Sequence, residues 1–168
     1  PVLQAPLMRG RNHRRAWLRG GLVLAGLLAT LVAIAMPTTR YMLELAFAPR
    51  PTHLAVPVQG VAPAGLADTW GAARSGGRRH EGIDIFAKRG TPITSPVDGL
   101  VIGVGVNLLG GQVVRVLGPG RQVHYFAHLS RFGPVHRGMR IHEGQVLGYV
   151  GTTGNARGTP PHLHYGIY

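Results

Sequence analysis

The longest apolar stretch of the chain covers residues 20–36, with the sequence GGLVLAGLLATLVAIAM, and it contains no charged side chain. As a helix it would be about 26 Å long at ~1.5 Å per residue, close to the ~30 Å hydrocarbon core of a bilayer. Basic residues before such a helix favour the cytoplasmic side. The pattern predicts a basic cytoplasmic segment over residues 1–19, a transmembrane anchor over residues 20–36, and export of the rest. The basic residues of the first segment are Arg9, Arg11, Arg14, Arg15 and Arg19.

A cleavable signal peptide is the alternative for the same stretch. Ala33, Ile34 and Ala35 form an A-x-A-like cleavage site. We favour an uncleaved anchor because the apolar block and the basic region before it are both long for a signal peptide. A soluble core helix would need a polar face, and this stretch offers only Thr30. Cleavage would make the rest of the chain a secreted protein, whereas an uncleaved helix would tether it.

Residues 37–66 are predicted to form a proline-rich connector. Prolines prevent any long helix here, although residues 39–48 are compatible with a short one. The prolines are Pro37, Pro49, Pro51, Pro57 and Pro63.

From residue 67 to residue 168 short apolar stretches alternate with turns rich in Gly, Pro, Asn and Asp. No stretch beyond residue 66 keeps a 3.6-residue apolar period, which argues against long helices. The pattern predicts an all-β domain, a compact antiparallel sandwich-like or barrel-like structure. The predicted strands are residues 83–86, 99–104, 112–117, 122–128, 145–150 and 163–168.

A weak internal repeat is consistent with duplicated hairpin units in this domain. Residues 89–93 (RGTPI) recur as residues 137–141 (RGMRI), and residues 99–103 (GLVIG) recur as residues 144–148 (GQVLG). Glycine-rich β sequences also produce such matches by chance, so both explanations stay open. Because the chain starts at Pro1 and stops at Tyr168 within an apolar alternation, we expect it to be a fragment at one or both ends.

The formal net charge is +12, of which residues 1–50 and residues 51–168 each carry +6. Such a basic surface suits an anionic partner. Nucleic acid is not expected, because the sequence lacks a basic run with interleaved aromatics, a zinc-finger spacing and a recognition-helix pattern. There are no cysteines, which excludes disulfides and thiolate metal sites, so any metal ion must be held by histidine and carboxylate.

Five of the nine histidines fall in three short motifs. The motifs are HEGID from His80 to Asp84, HYFAH from His124 to His128, and HLH from His162 to His164. Residues i and i+2 of a strand point to one face, so HLH places two imidazoles side by side. Two histidines and one aspartate would leave a fourth metal position open for water, which is typical of a catalytic zinc. With a single carboxylate the bound water is expected to ionise near neutral pH.

Each motif alone is weak, and the metal hypothesis depends on their joint occurrence in one short β domain. His124 lies on the same predicted strand face as His128 and is a weaker candidate for the edge of the site. We predict that Glu81 and Glu143 are exposed and not catalytic. The other histidines, predicted to be solvated, are His13, His53, His136 and His142.

Three segments closely resemble the lysostaphin/LytM-type zinc endopeptidases of peptidoglycan. They are GRRHEGIDIFAKRGTPITSPVDGLV (residues 77–101), YFAHLS (residues 125–130) and GYVGTTGNARGTPPHLHYGI (residues 148–167). The resemblance covers about residues 68–168, with the motifs in the family's order. It implies an antiparallel β peptidase domain with a narrow groove over one zinc ion per chain. The implied substrate is peptidoglycan, cut in its stem peptides or cross-bridges.

The resemblance also implies roles for the five histidine-motif residues that match the family's pattern. His80, Asp84 and His164 would be the zinc ligands. His128 and His162 would be catalytic, moving the proton of the attacking water and stabilising the oxyanion. With the predicted anchor, the domain would face the wall from the inner (cytoplasmic) membrane of a bacterium. The sequence does not indicate an oligomeric state.

The sequence departs from the family pattern just before HLH. Relatives usually have Ser/Thr-Thr-Gly-Pro there, whereas this chain reads ARGTPP over residues 156–161. Arg157 and the second proline are expected to alter the groove wall. An alternative function is a catalytically silent module that binds the wall or activates other hydrolases. Silent members lose a ligand or a catalytic histidine, and this chain keeps all five residues, so we predict an active enzyme.

Overall fold

The computed structural model describes residues 10–168, in two compact units divided between Tyr41 and Met42. Helix α1 spans Gly10–Ala35 and helix α2 spans Pro37–Phe47. Residues 20–35 of the apolar stretch are therefore helical, and their helix begins ten residues earlier than the stretch itself. The short helix expected at residues 39–48 is α2. Large apolar side chains of α1, such as Leu22 and Leu28, are exposed.

Neither described helix, taken singly, has the length and hydropathy of a membrane span. The two helices meet that test only as a bent pair, on length and composition alone. The anchor over residues 20–36 stays a prediction. So does the cytoplasmic position of residues 1–19, of which residues 1–9 lie outside the described residues.

The second unit is built from nine antiparallel strands in two sheets. Six strands form one sheet in the order β1-β9-β5-β4-β3-β7, and three form the other in the order β2-β8-β6. The prediction of an all-β antiparallel domain is confirmed. The strands are β1 Ile83–Phe86, β2 Pro92–Thr94, β3 Gly99–Asn107, β4 Gly111–Leu117, β5 Val123–Leu129, β6 Arg131–Phe132, β7 Arg140–Ile141, β8 Val146–Tyr149 and β9 His162–Ile167.

Side chains from both sheets meet in one hydrophobic core. Phe126 and Leu163 come from the large sheet, and Ile93 and Leu147 come from the small one; all four are fully buried. Burial of this kind contributes roughly 1.5–3 kcal/mol for each large apolar side chain. The opposite face of the large sheet is thereby left to form the groove described below.

The segment predicted as a connector differs in part from that expectation. Val58 is fully buried in the core and forms a β-bridge with Ile93. The N–H of Thr94 donates to the carbonyl of Pro57 at 3.1 Å, a normal hydrogen-bond distance. Residues from Met42 onward belong to the same compact unit as the strands. Prolines in this segment exclude a long helix, but they do not prevent an extended chain from packing along a sheet edge.

Strand β5 contains a bulge that separates His124 from His128. Ala127 and His128 together lie opposite one residue of β4, and His128 has a positive φ of 66°. Without the bulge the period of two would place both histidines on one face. With the bulge, His128 turns to the groove while His124 stays in the core.

His124 was the weaker candidate for the edge of the site. It does not line the groove. It is fully buried, and its Nδ1 lies 2.6 Å from the hydroxyl oxygen of Tyr165. Burial lowers the pKa of His124 to about 4, so its imidazole is neutral at physiological pH.

Candidate metal centre

Three side chains predicted as metal ligands converge at one end of the β1–β9 ladder. Asp84 on β1 lies directly opposite His164 on β9, and His80 belongs to the loop that leads into β1. Asp84 Oδ1 lies 3.0 Å from His80 Nε2 and 3.2 Å from His164 Nδ1. The two imidazole nitrogens are 2.7 Å apart. One donor atom from each residue thus faces a common point.

Neighbouring groups fix the orientation of two of these ligands. The Nδ1–H of His80 donates to the carbonyl of Thr69 at 2.7 Å, which leaves the lone pair of Nε2 facing Asp84 and His164. The Thr69 hydroxyl accepts a hydrogen bond from the N–H of Asp84 at 3.1 Å. Arg74 Nη2 donates to Asp84 Oδ2, whereas Oδ1 is the oxygen that contacts the histidines. Histidine ligands commonly have such a partner on the second ring nitrogen.

The charge state of the ligands suits a cation. Burial acts to raise the pKa of Asp84, but the His164 hydrogen bond and the charges of His80, His162 and Arg74 outweigh it and hold that pKa far below the usual range. Burial lowers the pKa of His80, so its imidazole is neutral. An ionised Asp84 and a neutral His80 are the protonation states that metal ligation requires of these two residues.

The donor set fits zinc better than magnesium or calcium. Donor atoms around a tetrahedral zinc are separated by about 3.3 Å, given Zn–N and Zn–O bonds of about 2.0–2.2 Å. The observed separations of 2.7–3.2 Å are close to that value. Mg²⁺ and Ca²⁺ prefer six or more oxygen ligands, and this cluster offers mainly nitrogen.

A glycine makes room for His164 beside the ligand loop. A Cβ built on Gly82 would lie 2.5 Å from the carbonyl oxygen of Tyr165 and 2.8 Å from Cε1 of the His164 ring. Any larger residue would push the ring or the β9 backbone away. Gly82 of the HEGID motif is therefore required because the ligand cluster leaves no room for a side chain at this position.

His128 and His162 lie beside this cluster, with ring centroids 5.0 Å apart. The Nδ1–H of His128 donates to the carbonyl of Thr153 at 2.8 Å, and that of His162 donates to the carbonyl of Pro160 at 2.8 Å. A carbonyl oxygen only accepts, so Nδ1 carries a proton in both rings, and Nε2 is the nitrogen left for exchange of a second proton. His162 Nε2 lies 3.9 Å from Asp84 Oδ1. Burial lowers the pKa of His128 to about 4, which keeps this ring neutral.

All five residues line one groove of about 610 Å³ on the open face of the large sheet. Tyr125 and Ala127 of β5 form part of its floor, and the loop before β9 forms one wall through Thr159 and Pro160. The groove is large enough for several residues of an extended peptide. Phe86, Leu109 and Tyr168 add apolar surface at its rim.

The structure thus brings the five predicted residues together. Two residues that contact the ligands, Thr69 and Arg74, were not predicted from the sequence. Thr69 and Arg74 precede the recognisable motif, and nothing in their spacing indicated contact with His80 or Asp84. Glu81 is exposed, as predicted, and so is Glu143. His136 and His142 are also exposed, whereas Arg157 does not line the groove.

The part of the chain that holds these residues matches a known protein family. The family model described as peptidase family M23 matches residues 78–168, which is more than half of the chain. The chain belongs to peptidase family M23. The resemblance to lysostaphin/LytM-type enzymes is confirmed, and the M23 match contains all five site residues.

Relatives in the M23 family carry peptidase names. The chain is 45% identical over 108 residues to the "L-Ala--D-Glu endopeptidase" of Bacillus subtilis, a match covering 60% of this chain and 33% of that protein. It is 36% identical over 88 residues to the "Peptidoglycan DD-endopeptidase ShyC" of Vibrio cholerae, covering 52% and 20%. The chain therefore spans a third or less of these curated relatives.

Solved M23 structures share the fold of the second unit. The catalytic domain of the antimicrobial peptidase lysostaphin from Staphylococcus simulans is 30% identical, with a TM-score of 0.55. That match covers 60% of this chain and 76% of the lysostaphin domain. The β domain is therefore an M23 peptidase domain.

Proposed function

We propose that this chain is a zinc-dependent endopeptidase that hydrolyses peptide bonds of peptidoglycan, in stem peptides or cross-bridges. The observation that carries the proposal is the convergence of His80, Asp84 and His164 on one point of a groove that also holds His128 and His162. A wall-binding module without activity would not need two further histidines in the groove, each oriented by a backbone carbonyl on Nδ1. The names of the M23 relatives supply the substrate class.

The proposed ligands are His80 through Nε2, Asp84 through Oδ1 and His164 through Nδ1, with one zinc ion per chain. When bound, zinc supplies Lewis-acid activation of water and of the scissile carbonyl. The chain's own residues hold these reactants in place, because each ligand is fixed by its strand position or by a hydrogen bond to the surrounding loop. Such positioning is itself a large part of catalysis.

His128 and His162 are the proposed proton carriers. Each ring can accept a proton from water at Nε2 while its Nδ1–H stays bonded to a backbone carbonyl. The resulting imidazolium can donate that proton to the leaving amide nitrogen, or stabilise the oxyanion on the attacked carbon. Both rings are buried, which excludes competing solvent from the donor atoms and strengthens their electrostatic effect.

Digestion of purified sacculi tests the proposal. The full chain with equimolar Zn²⁺ should release new muropeptides, identified by mass, and the new amino and carboxyl ends name the bond that is cut. A chelator should stop the release and added zinc should restore it. Binding to sacculi with no new muropeptide, with zinc present at one ion per chain, would instead establish the silent wall-binding module.

We also propose that residues 20–36 anchor the chain in the inner membrane, with the β domain on the wall side. The support is the uncharged apolar sequence, the five preceding arginines and the exposure of apolar side chains along α1. A tagged full chain should be recovered in the membrane pellet and released by detergent but not by high salt. A soluble form shortened by about 35 residues would establish cleavage after Ala33–Ala35 instead.

A further inference from the structure

Arg74 stands out in the metal centre because it is a cation that contacts a proposed metal ligand. It lies in a narrow hairpin formed by residues 71–80, in which the N–H of His80 donates to the carbonyl of Ala72 at 2.9 Å. The N–H of Arg74 donates to the carbonyl of Arg78 at 2.9 Å, close to the hairpin tip. From there its guanidinium reaches Asp84, ten residues further along the chain. The hairpin thus places Arg74 and His80 on the same carboxylate.

The two oxygens of Asp84 have different partners. Oδ1 faces the histidines, at 3.0 Å from His80 Nε2 and 3.2 Å from His164 Nδ1. Oδ2 accepts the hydrogen bond from Arg74 Nη2. The Asp84 side chain is 9% exposed and that of Arg74 is 37% exposed, so the carboxylate has little freedom to exchange partners with water.

We infer that Arg74 is a positioning residue that restricts Asp84 to metal ligation through Oδ1 alone. This inference rests on the proposed zinc site. A carboxylate without a partner on its second oxygen can rotate and bind a cation through both oxygens. The guanidinium occupies Oδ2 with a charge-assisted hydrogen bond, which is stronger and more directional than a neutral one. Three ligand atoms and an open fourth position are thereby maintained.

The opposite role would be competition, because Arg74 is a positive charge near a cation site. In that case the guanidinium would neutralise Asp84 until the metal replaced it, and removing Arg74 would tighten metal binding. The geometry favours positioning, since Arg74 lies on the far oxygen and not between the three donor atoms. Loss of a group that orients a metal ligand typically weakens metal binding by about 10–100-fold.

The test measures the Zn²⁺ affinity of the full chain by competition with a chromophoric chelator. Arg74→Ala should weaken binding by about 10–100-fold, and Arg74→Lys should recover part of the loss. Arg79→Ala is the matched control. This substitution removes one positive charge from the same groove. The Arg79 guanidinium donates to the carbonyl of Gly71 at 3.3 Å instead of contacting a proposed ligand. Its Zn²⁺ affinity should change by less than about threefold, and circular dichroism should show the same fold for all variants.

A second readout uses Co²⁺ in place of zinc, because its visible absorption is more intense in four-coordinate than in five-coordinate sites. The R74A protein should show a weaker band, as Asp84 binds through both oxygens. Unchanged or tighter Zn²⁺ binding by R74A would overturn the inference while leaving the peptidase proposal intact. An unchanged Co²⁺ band would overturn the single-oxygen role. Failure of the unmodified chain to bind zinc would overturn both this inference and the proposed function.

Discussion

Replacing Asp84 with alanine is expected to reduce zinc occupancy from the proposed one ion per chain to nearly none and to reduce the proposed hydrolysis of sacculi to background. Asp84 is the anionic member of the ligand cluster, and its Oδ1 faces both ligand histidines. Two neutral imidazoles alone hold a divalent cation poorly. The fold should largely survive, because the core of the β domain lies on the other side of the sheet. Elemental analysis, muropeptide release and far-ultraviolet circular dichroism check these three expectations.

Asp98→Ala is the matched control for this variant. Asp98 is exposed, and its carboxylate accepts a hydrogen bond from the N–H of Glu143 at 2.9 Å, away from the groove. The D98A protein should keep both zinc and activity. A D84A protein that kept full zinc would show that the ligand assignment is wrong.

Replacing His128 or His162 with alanine is expected to leave zinc bound and to lower the rate of hydrolysis by roughly 10²–10⁴-fold. That range is the usual contribution of a positioned acid–base group. The metal should stay because neither ring is among the three converging donors, although His162 Nε2 lies only 3.9 Å from Asp84 Oδ1. Zinc content and muropeptide release are measured on the same preparations.

Two comparisons separate catalysis from metal binding in these variants. His142→Ala removes an exposed imidazole and should change neither property. His164→Ala should lose zinc, since it removes a donor from β9. If H162A lost zinc while H164A kept it, the roles within the HLH pair would be reversed.

The sequence was sufficient to predict the strands that hold the site. The strand Ile83–Phe86 is predicted with its observed bounds, and the strand His162–Ile167 is predicted one residue late, as residues 163–168, because β-branched and aromatic residues cluster there between glycine and proline signals. The i, i+2 spacing of His162 and His164 also predicted their common face. Such short-range features depend on backbone geometry that is the same in every strand.

Contacts between residues far apart in the chain could not be predicted from the sequence. The register that puts Asp84 opposite His164 joins residues 80 positions apart, and no local pattern encodes it. The contacts of Thr69 and Arg74 with the ligands depend on how the hairpin at residues 71–80 folds back. The two-residue strands Arg131–Phe132 and Arg140–Ile141 are too short to show an alternation. The burial of Val58 likewise depends on a partner, Ile93, that lies 35 residues away.

The bulge in β5 has a consequence for comparing this chain with other proteins. Ala127, opposite His164, and His128 both face the groove, although they are neighbours in sequence. Deleting Ala127 would restore a regular strand and move the histidine into the groove-facing position that Ala127 now holds. That histidine would be displaced by about 3.3 Å, one strand residue, which is more than a hydrogen bond tolerates. A one-residue gap at Ala127 in an alignment therefore predicts a displaced histidine, even where the histidine itself is present.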